Sequence, residues 1–255
     1  MPFLKVTPEK LSNSVVRQIE QLILRGILRP GERLPSERDL ADKLGVSRPS
    51  LRDAISDLAE RGLLVSRAGS GIFVAEVLGS AFSPALTQLF SAHEEAVFDY
   101  ISFRRDIEGL AADRAATFGS ETDLKLIDTI FGKMELAHQK RDPSDEAQLD
   151  AEFHMAIIEA SHNVIMLHML RSMFELLRQG VFYNRQVMFR NRMTRDQLLD
   201  QHRAINAAIQ SRDPQAARAA VGAHMAYVEQ AFHDQMRAEK HESIARQRLE
   251  QEASR

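Results

Sequence analysis

The stretch Leu34 to Leu64, LPSERDLADKLGVSRPSLRDAISDLAERGLL, leaves this chain the least conformational freedom. Ser36 sits where a helix N-cap belongs, and Asp39 three residues on can answer it as in a capping box. Leu40, Ala41 and Leu44 then share one helical face, and Gly45 closes the helix where a positive φ is wanted. Ser47 is a second N-cap, and Pro49 fits the first turn because the N–H groups there have no intrahelical partner. Leu51, Ala54, Ile55 and Leu58 form the apolar stripe of this second helix, while Arg48, Ser50 and Arg52 crowd its opposite, N-terminal face. A helix with a basic, hydroxyl-bearing first turn, propped on a short partner helix, is built to enter a DNA major groove.

Any capped pair of helices could share part of this pattern, and arginines on helices are commonly just solvated. The continuation is more specific. After Gly62 come LLVSR, AGSG and IFVAE, two β-prone runs joined by a turn carrying Gly69 and Gly71. Helix, turn, helix and hairpin together predict a winged helix.

Charge agrees with that division of labour. The whole chain of 255 residues has a formal net charge of −3. Residues 1–75 hold 12 Lys and Arg against 9 Asp and Glu, and the rest hold 21 against 27. A basic front and an acidic back suit a DNA-binding domain joined to a domain that stays off the phosphates. Cysteine is absent, so disulfides and thiolate metal sites are excluded, which suits the cytoplasm. MPFLKVTPEKLS has no apolar run that would make a signal peptide. No stretch approaches the ~20 apolar residues of a membrane helix.

A first helix is expected from about Ser12 to Arg25, with Val15, Val16, Ile19, Leu22 and Ile23 inward. The winged helix is placed at 8–75, and Glu76–Pro84, EVLGSAFSP, reads as a linker. From Ala85 the pattern is helical, with breaks at Gly119-Ser120, Arg141-Asp142-Pro143, Ser161-His162-Asn163 and Arg212-Asp213-Pro214. Asn163 looks like an N-cap. The expected helices run 96–118, 121–140, 144–160, 164–190, 194–211 and 214–240. Leu124, Ile127, Ile130, Phe131 and Met134 mark the inner face of one, and Ala216, Ala220, Ala223 and Tyr227 that of another. The predicted fold is therefore mainly α: an N-terminal winged helix-turn-helix, then an all-α antiparallel bundle over 85–240. The charged run 241–255 is a tail, as a solvated helical extension or a frayed end.

Within the bundle, Asp150 and His154 lie four apart, on one face of one helix. His202 falls on the next helix but one, and His224 lies far enough on to return antiparallel. One carboxylate and three imidazoles from three helices would suit a divalent transition metal, Zn²⁺ with Ni²⁺ or Mn²⁺ as options, with positions left open. Solvated or backbone-bonded histidines are the plainer alternative. His162, His168, His233 and His241 read as ordinary surface or core residues, and Met155, Met166, Met169 and Met173 as packing.

Leu28–Ala41, Leu44–Ile55 and Gly62–Val74 resemble the winged-helix domain of the GntR family of bacterial transcription regulators. Phe103–Ala116, Leu149–Asn163, Asp200–Asp213 and Ala217–Met225 resemble the helical FCD ligand-binding domain of its FadR-type branch. The resemblance implies DNA contacts by Arg38, Arg48, Arg52 and the wing-tip Gly69, with Ser47 and Ser50 as phosphate or base-edge partners. Ala68 replaces the longer polar side chain frequent at the wing tip, which leaves the backbone or Arg67 to reach the minor groove. It also implies metal binding by Asp150, His154, His202 and His224, the set that divides the branch into members with and without metal.

Arg104 occupies the family's arginine four residues ahead of Glu108 and would clamp a small carboxylate facing the metal. Alternatively Arg104 or its neighbour Arg105 only pairs with Glu108 along the helix. The expected protein is a homodimeric repressor on a pseudo-palindromic double-stranded operator, answering a pyruvate-, lactate- or glycolate-type acid. The stretches around Phe82–Ala116 and Glu159–Leu177 look most like pyruvate dehydrogenase complex and lactate-responsive repressors. A metal-free pocket for a larger ligand such as an acyl-CoA is the alternative. A metal-dependent enzyme is disfavoured by the lack of an HExxH motif and of a general base beyond the ligands.

Overall fold

The structure is a computed structural model that describes residues 10–75, 83–140, 144–178 and 192–253. It divides into two compact units, Met1–Gly79 and Ser80–Arg255.

The first unit contains α1 (Leu11–Leu24), α2 (Glu37–Leu44), α3 (Arg48–Glu60), β1 (Leu64–Arg67) and β2 (Gly71–Val74). Its helix ends are set locally. The Ser36 hydroxyl accepts from the Asp39 N–H at 3.2 Å, and Gly45 ends α2 at φ +64°. Asp39 answers through the Ser36 hydroxyl, at 2.7 Å, and not through the backbone N–H of a full capping box. Ser47 caps α3 by accepting from Ser50 N–H at 3.3 Å. Val15, Val16, Ile19 and Ile23 of α1 meet Leu51, Ala54 and Leu58 of α3 in one core, which Leu34, Leu64 and Val74 complete. Leu22, expected inward, is only half-buried, because the larger α1 stripe turns the helix about Ile19 and Ile23.

β1 and β2 pair antiparallel from Leu64↔Val74 to Arg67↔Gly71. The turn between them needs Gly69 at φ +70° and Gly71 at φ +107°. A Cβ on Gly71 would also meet Arg33 Nε at 3.1 Å. Residues 31–34 run beside β2, with Leu34 N–H donating to Ile72 carbonyl and Val74 N–H to Glu32 carbonyl, both at 2.9 Å. The wing is thereby tied to the segment that leads into α2.

The second unit contains α4 (Pro84–Ala92), α5 (Glu94–Phe118), α6 (Glu121–His138), α7 (Ser144–Ala160), α8 (Val164–Arg178), α9 (Arg192–Gln210) and α10 (Pro214–Ala253). Here α5 is central, with α7, α9 and α10 packed along it. Ser120 and Asp123 form a complete capping box at the start of α6, and Asn163 Oδ1 caps α8 by accepting from Met166 N–H at 3.1 Å. Leu124, Ile127, Ile130, Phe131 and Met134 are all buried, as their spacing predicts.

Two expectations need correction, and a third lies partly outside the described residues. The linker expected at 76–84 falls mostly outside the described residues, yet Ser83 already caps α4 and Pro84 begins it. The helix expected over 164–190 is described as far as Arg178, and 179–190 lie outside. In α10 the buried face is Ala217, Val221, His224, Met225 and Val228; Ala216, Ala220 and Tyr227 flank it and Ala223 is exposed. The larger Val221, Met225 and Val228 side chains, with Ala217 beside them, fill the core and set the rotation of that helix. Beyond the bundle α10 continues to Ala253, exposed from 237 onward, so the described part of the charged tail is a solvated helix. Among the described residues no helix is long and apolar enough to cross a membrane.

Candidate metal centre and nucleic-acid interface

Asp150 and His154 are one turn apart on α7, His202 is on α9 and His224 on α10. The pairing of these helices brings one potential ligand atom from each of the four residues to within 4.8 Å of the others. All four are buried. Asp150 Oδ1 lies 3.0 Å from His202 Nε2 and 3.8 Å from His154 Nε2, and the two Nε2 atoms are 3.3 Å apart.

Two acceptors fix which nitrogens face the cluster. Glu108 Oε2 takes His154 Nδ1–H at 2.7 Å, because an ionised carboxylate can only accept. Gln201 Oε1 takes His224 Nδ1–H at 3.0 Å. Both assignments leave an Nε2 lone pair on the cluster side. His202 Nδ1 is buried with no hydrogen-bond partner among the described residues.

Burial dominates the electrostatics of two of the clustered histidines. Burial pushes His224 well below the usual imidazole range, and the neighbouring His202 and His154 push it further. Burial also lowers His154, outweighing the upward pull of Glu108. Burial alone would raise the Glu108 carboxyl, but Arg104 and His154 outweigh it and bring it down to about 2. The Nε2 lone pairs of His154 and His224, with the His202 ring and the Asp150 carboxyl group beside them in a buried space, form a donor set that could hold a divalent transition metal.

The structure also separates the two arginines. Arg104 points inward, its Nε donating to Glu108 Oε1 at 2.5 Å and its Nη2 to Oε2 at 3.3 Å, with the guanidinium 4.9 Å from the Phe174 ring centroid. Arg105 lies at the surface, 3.4 Å from Glu229 and 3.0 Å from the Ser102 hydroxyl. Arg104 is thus engaged by Glu108, the intrahelical pairing that the sequence left open. Glu108 as a support for His154, and Gln201 as one for His224, escaped sequence reasoning. The i,i+4 spacing from Arg104 was the only local signal for Glu108, and Gln201 had none beyond its place next to His202. An open groove between α4, the start of α5 and Met173 contains Tyr100 and Phe103 but none of the four clustered residues.

In the first unit, Arg38, Arg48 and Arg52 are exposed. Arg52 Nε pairs with Glu37 at 2.8 Å, linking α3 to the start of α2. The Ser47 and Ser50 hydroxyls lie 2.9 Å apart in the cap of α3. Arg67 lies over the Phe73 ring, 4.4 Å from its centroid, and Gly69 sits at the exposed wing tip.

Residues 11–74 match the profile of bacterial regulatory proteins of the gntR family, and residues 99–227 match that of the FCD domain. The chain belongs to the GntR family. Its Escherichia coli (strain K12) relatives include the Glc operon transcriptional activator, 34% identical over 86% of this chain and 88% of that protein. Another, provisionally named an L-lactate dehydrogenase operon regulatory protein, is 36% identical over 88% of this chain and 86% of its own length. A solved Streptococcus agalactiae GntR structure is 26% identical, with a TM-score of 0.52, covering 86% of this chain and 99% of that one. This GntR-family chain is therefore a DNA-binding transcriptional regulator with an FCD domain, and not an enzyme.

Proposed function

We propose that this GntR-family regulator is a homodimeric repressor whose operator affinity is set by a small monocarboxylate of the pyruvate, lactate or glycolate type. The effector would bind in the FCD domain at a divalent metal, with zinc the first candidate, held by Asp150, His154, His202 and His224. The single observation carrying this reading is the buried convergence of those four groups, two of whose histidines have a fixed Nε2 lone pair. A bound metal would supply a Lewis-acid contact for one carboxylate oxygen. Arg104 would supply a positive, hydrogen-bonding partner for the acid, sharing itself with Glu108. The names of the Glc and L-lactate dehydrogenase operon regulators support a small acid as effector.

Pyruvate, L-lactate and glycolate titrated by calorimetry, before and after chelation, test this. One acid is expected to bind the metal-loaded protein and to lose that binding on chelation. Binding that survives chelation, or no binding by any of the three, would remove the metal-assisted sensor. The size of the effector's action on DNA is limited by its differential affinity for the two DNA-binding states, and its sign follows from which state it prefers. Release of DNA by the bound acid fits a repressor, and tighter binding an activator.

The DNA face is assigned to Arg38, Ser47, Arg48, Ser50 and Arg52, with Arg67 and Gly69 at the wing. The Arg52–Glu37 pair is exposed, so it contributes little and a phosphate could displace it. Two such faces in a dimer would meet successive major grooves of a two-fold operator. Duplexes selected from random sequence by the wild-type protein provide the probe. Arg48→Ala is expected to weaken binding to them by about 5- to 150-fold, as a loss of ~1–3 kcal/mol implies, with the helical signal unchanged. Undiminished binding in a gel-shift titration would refute the groove assignment. Wild-type affinity should also fall steeply with salt as phosphate counterions are released.

A further inference from the structure

The four clustered residues are not supported equally. His154 gives its Nδ1–H to a carboxylate, His224 gives its own to a neutral amide, and His202 Nδ1 has no partner among the described residues. The carboxylate, Glu108, is itself held by two nitrogens of Arg104. Arg104, Glu108 and His154 are each only 2% exposed and form one continuous chain from α5 to α7.

We infer that Glu108 is a positioning residue that sets the metal affinity of the FCD site by holding His154, and that Arg104 acts on the metal through it. This rests on the metal-site reading above. A carboxylate accepting from the far nitrogen of an imidazole fixes its tautomer and rotation and makes the near nitrogen a stronger donor. An amide acceptor fixes the ring but adds less negative charge. Glu108 therefore does more for His154 than Gln201 does for His224. The same geometry joins the two functions of the site: a carboxylate effector that draws on Arg104 changes the hold on Glu108, and so on His154. Effector and metal affinities are then coupled, each altering the other by the same factor.

The test is zinc affinity of the full chain by chelator competition, with Co²⁺ absorption as a report on ligand geometry. Glu108→Gln keeps the side chain's size and an acceptor oxygen but removes the charge. It is expected to raise the zinc dissociation constant by about 10- to 100-fold, and Gln201→Ala by less. Arg104→Lys should raise it in the wild-type background and add little in Glu108→Gln. A purely structural Glu108 would lower the stability of the metal-free protein and leave zinc affinity alone. A folded Glu108→Gln with zinc affinity within about twofold of wild type overturns the inference and leaves the metal site standing. A wild-type protein that binds no zinc, Co²⁺ or other divalent ion overturns both.

If Glu108→Gln does not fold, imidazole ¹⁵N shifts of the wild-type metal-free protein still decide. The Nδ1–H tautomer of His154 is expected, and the Nε2–H tautomer would overturn the inference.

Discussion

Asp150→Ala is expected to abolish tight binding of divalent metal while leaving the bundle helical. Asp150 is the one anion among the four clustered groups, and its Oδ1 faces both His202 Nε2 and His154 Nε2. Its removal takes away a ligand together with the negative charge that offsets a cation in a buried space. The loss should exceed the about 10- to 100-fold that removal of a mere supporting group costs. Metal content after dialysis and zinc affinity by chelator competition would measure it. Stability gives a second, independent reading. A ligand present at about a hundred times its dissociation constant stabilises the folded state by ~2.7 kcal/mol. Chelation should therefore lower the melting temperature of wild-type protein and leave that of Asp150→Ala unmoved. Equal zinc affinity in variant and wild type would show that the cluster is a hydrogen-bonded core feature and nothing more.

Leu51→Ala should unfold the winged helix at physiological temperature and spare the FCD domain. Leu51 is fully buried at the centre of the core that joins α1 to α3. Truncating a buried leucine to alanine costs about 2–5 kcal/mol, because lost transfer energy is joined by the cavity left behind. A unit of this size buries a smaller fraction of its surface than a larger domain does and has little stability in reserve. DNA binding should be lost with it, since α3 carries Arg48 and Arg52. Zinc binding should persist, because its residues all lie in the second compact unit. Calorimetric melting would show an early transition separating from an unchanged later one. A single shift worth less than about 1 kcal/mol would mean that the α1–α3 core relaxes around the cavity.

The predicted features that hold in the structure share a physical origin. Ser36, Gly45, Ser47 and Pro49 fix the ends of α2 and α3 through bonds and φ angles that reach no further than four residues. The hairpin turn follows in the same way from Gly69 and Gly71. Asp150 and His154 could be paired in advance because helical spacing alone puts them on one face. His202 and His224 were harder to place, and their family resemblance carried what spacing left open.

The rotation of α10 illustrates the limit of pattern. Alanines spaced three and four apart matched a buried stripe, but Val221, Met225 and Val228 occupy it because a core is filled by volume.

The sequence by itself determined the mainly α architecture, the capped helix-turn-helix with its hairpin, and the placing of Asp150 and His154 on one helical face. Local hydrogen bonding and helical period act between near neighbours, and their signals survive in one dimension. Only the tertiary structure decided that Arg104 turns inward and Arg105 outward, that Glu108 holds His154, and that Gln201 holds His224. Those pairings join helices whose residues lie tens of positions apart. No spacing rule encodes them, because they are fixed by how α5, α7, α9 and α10 pack their side chains around one buried space.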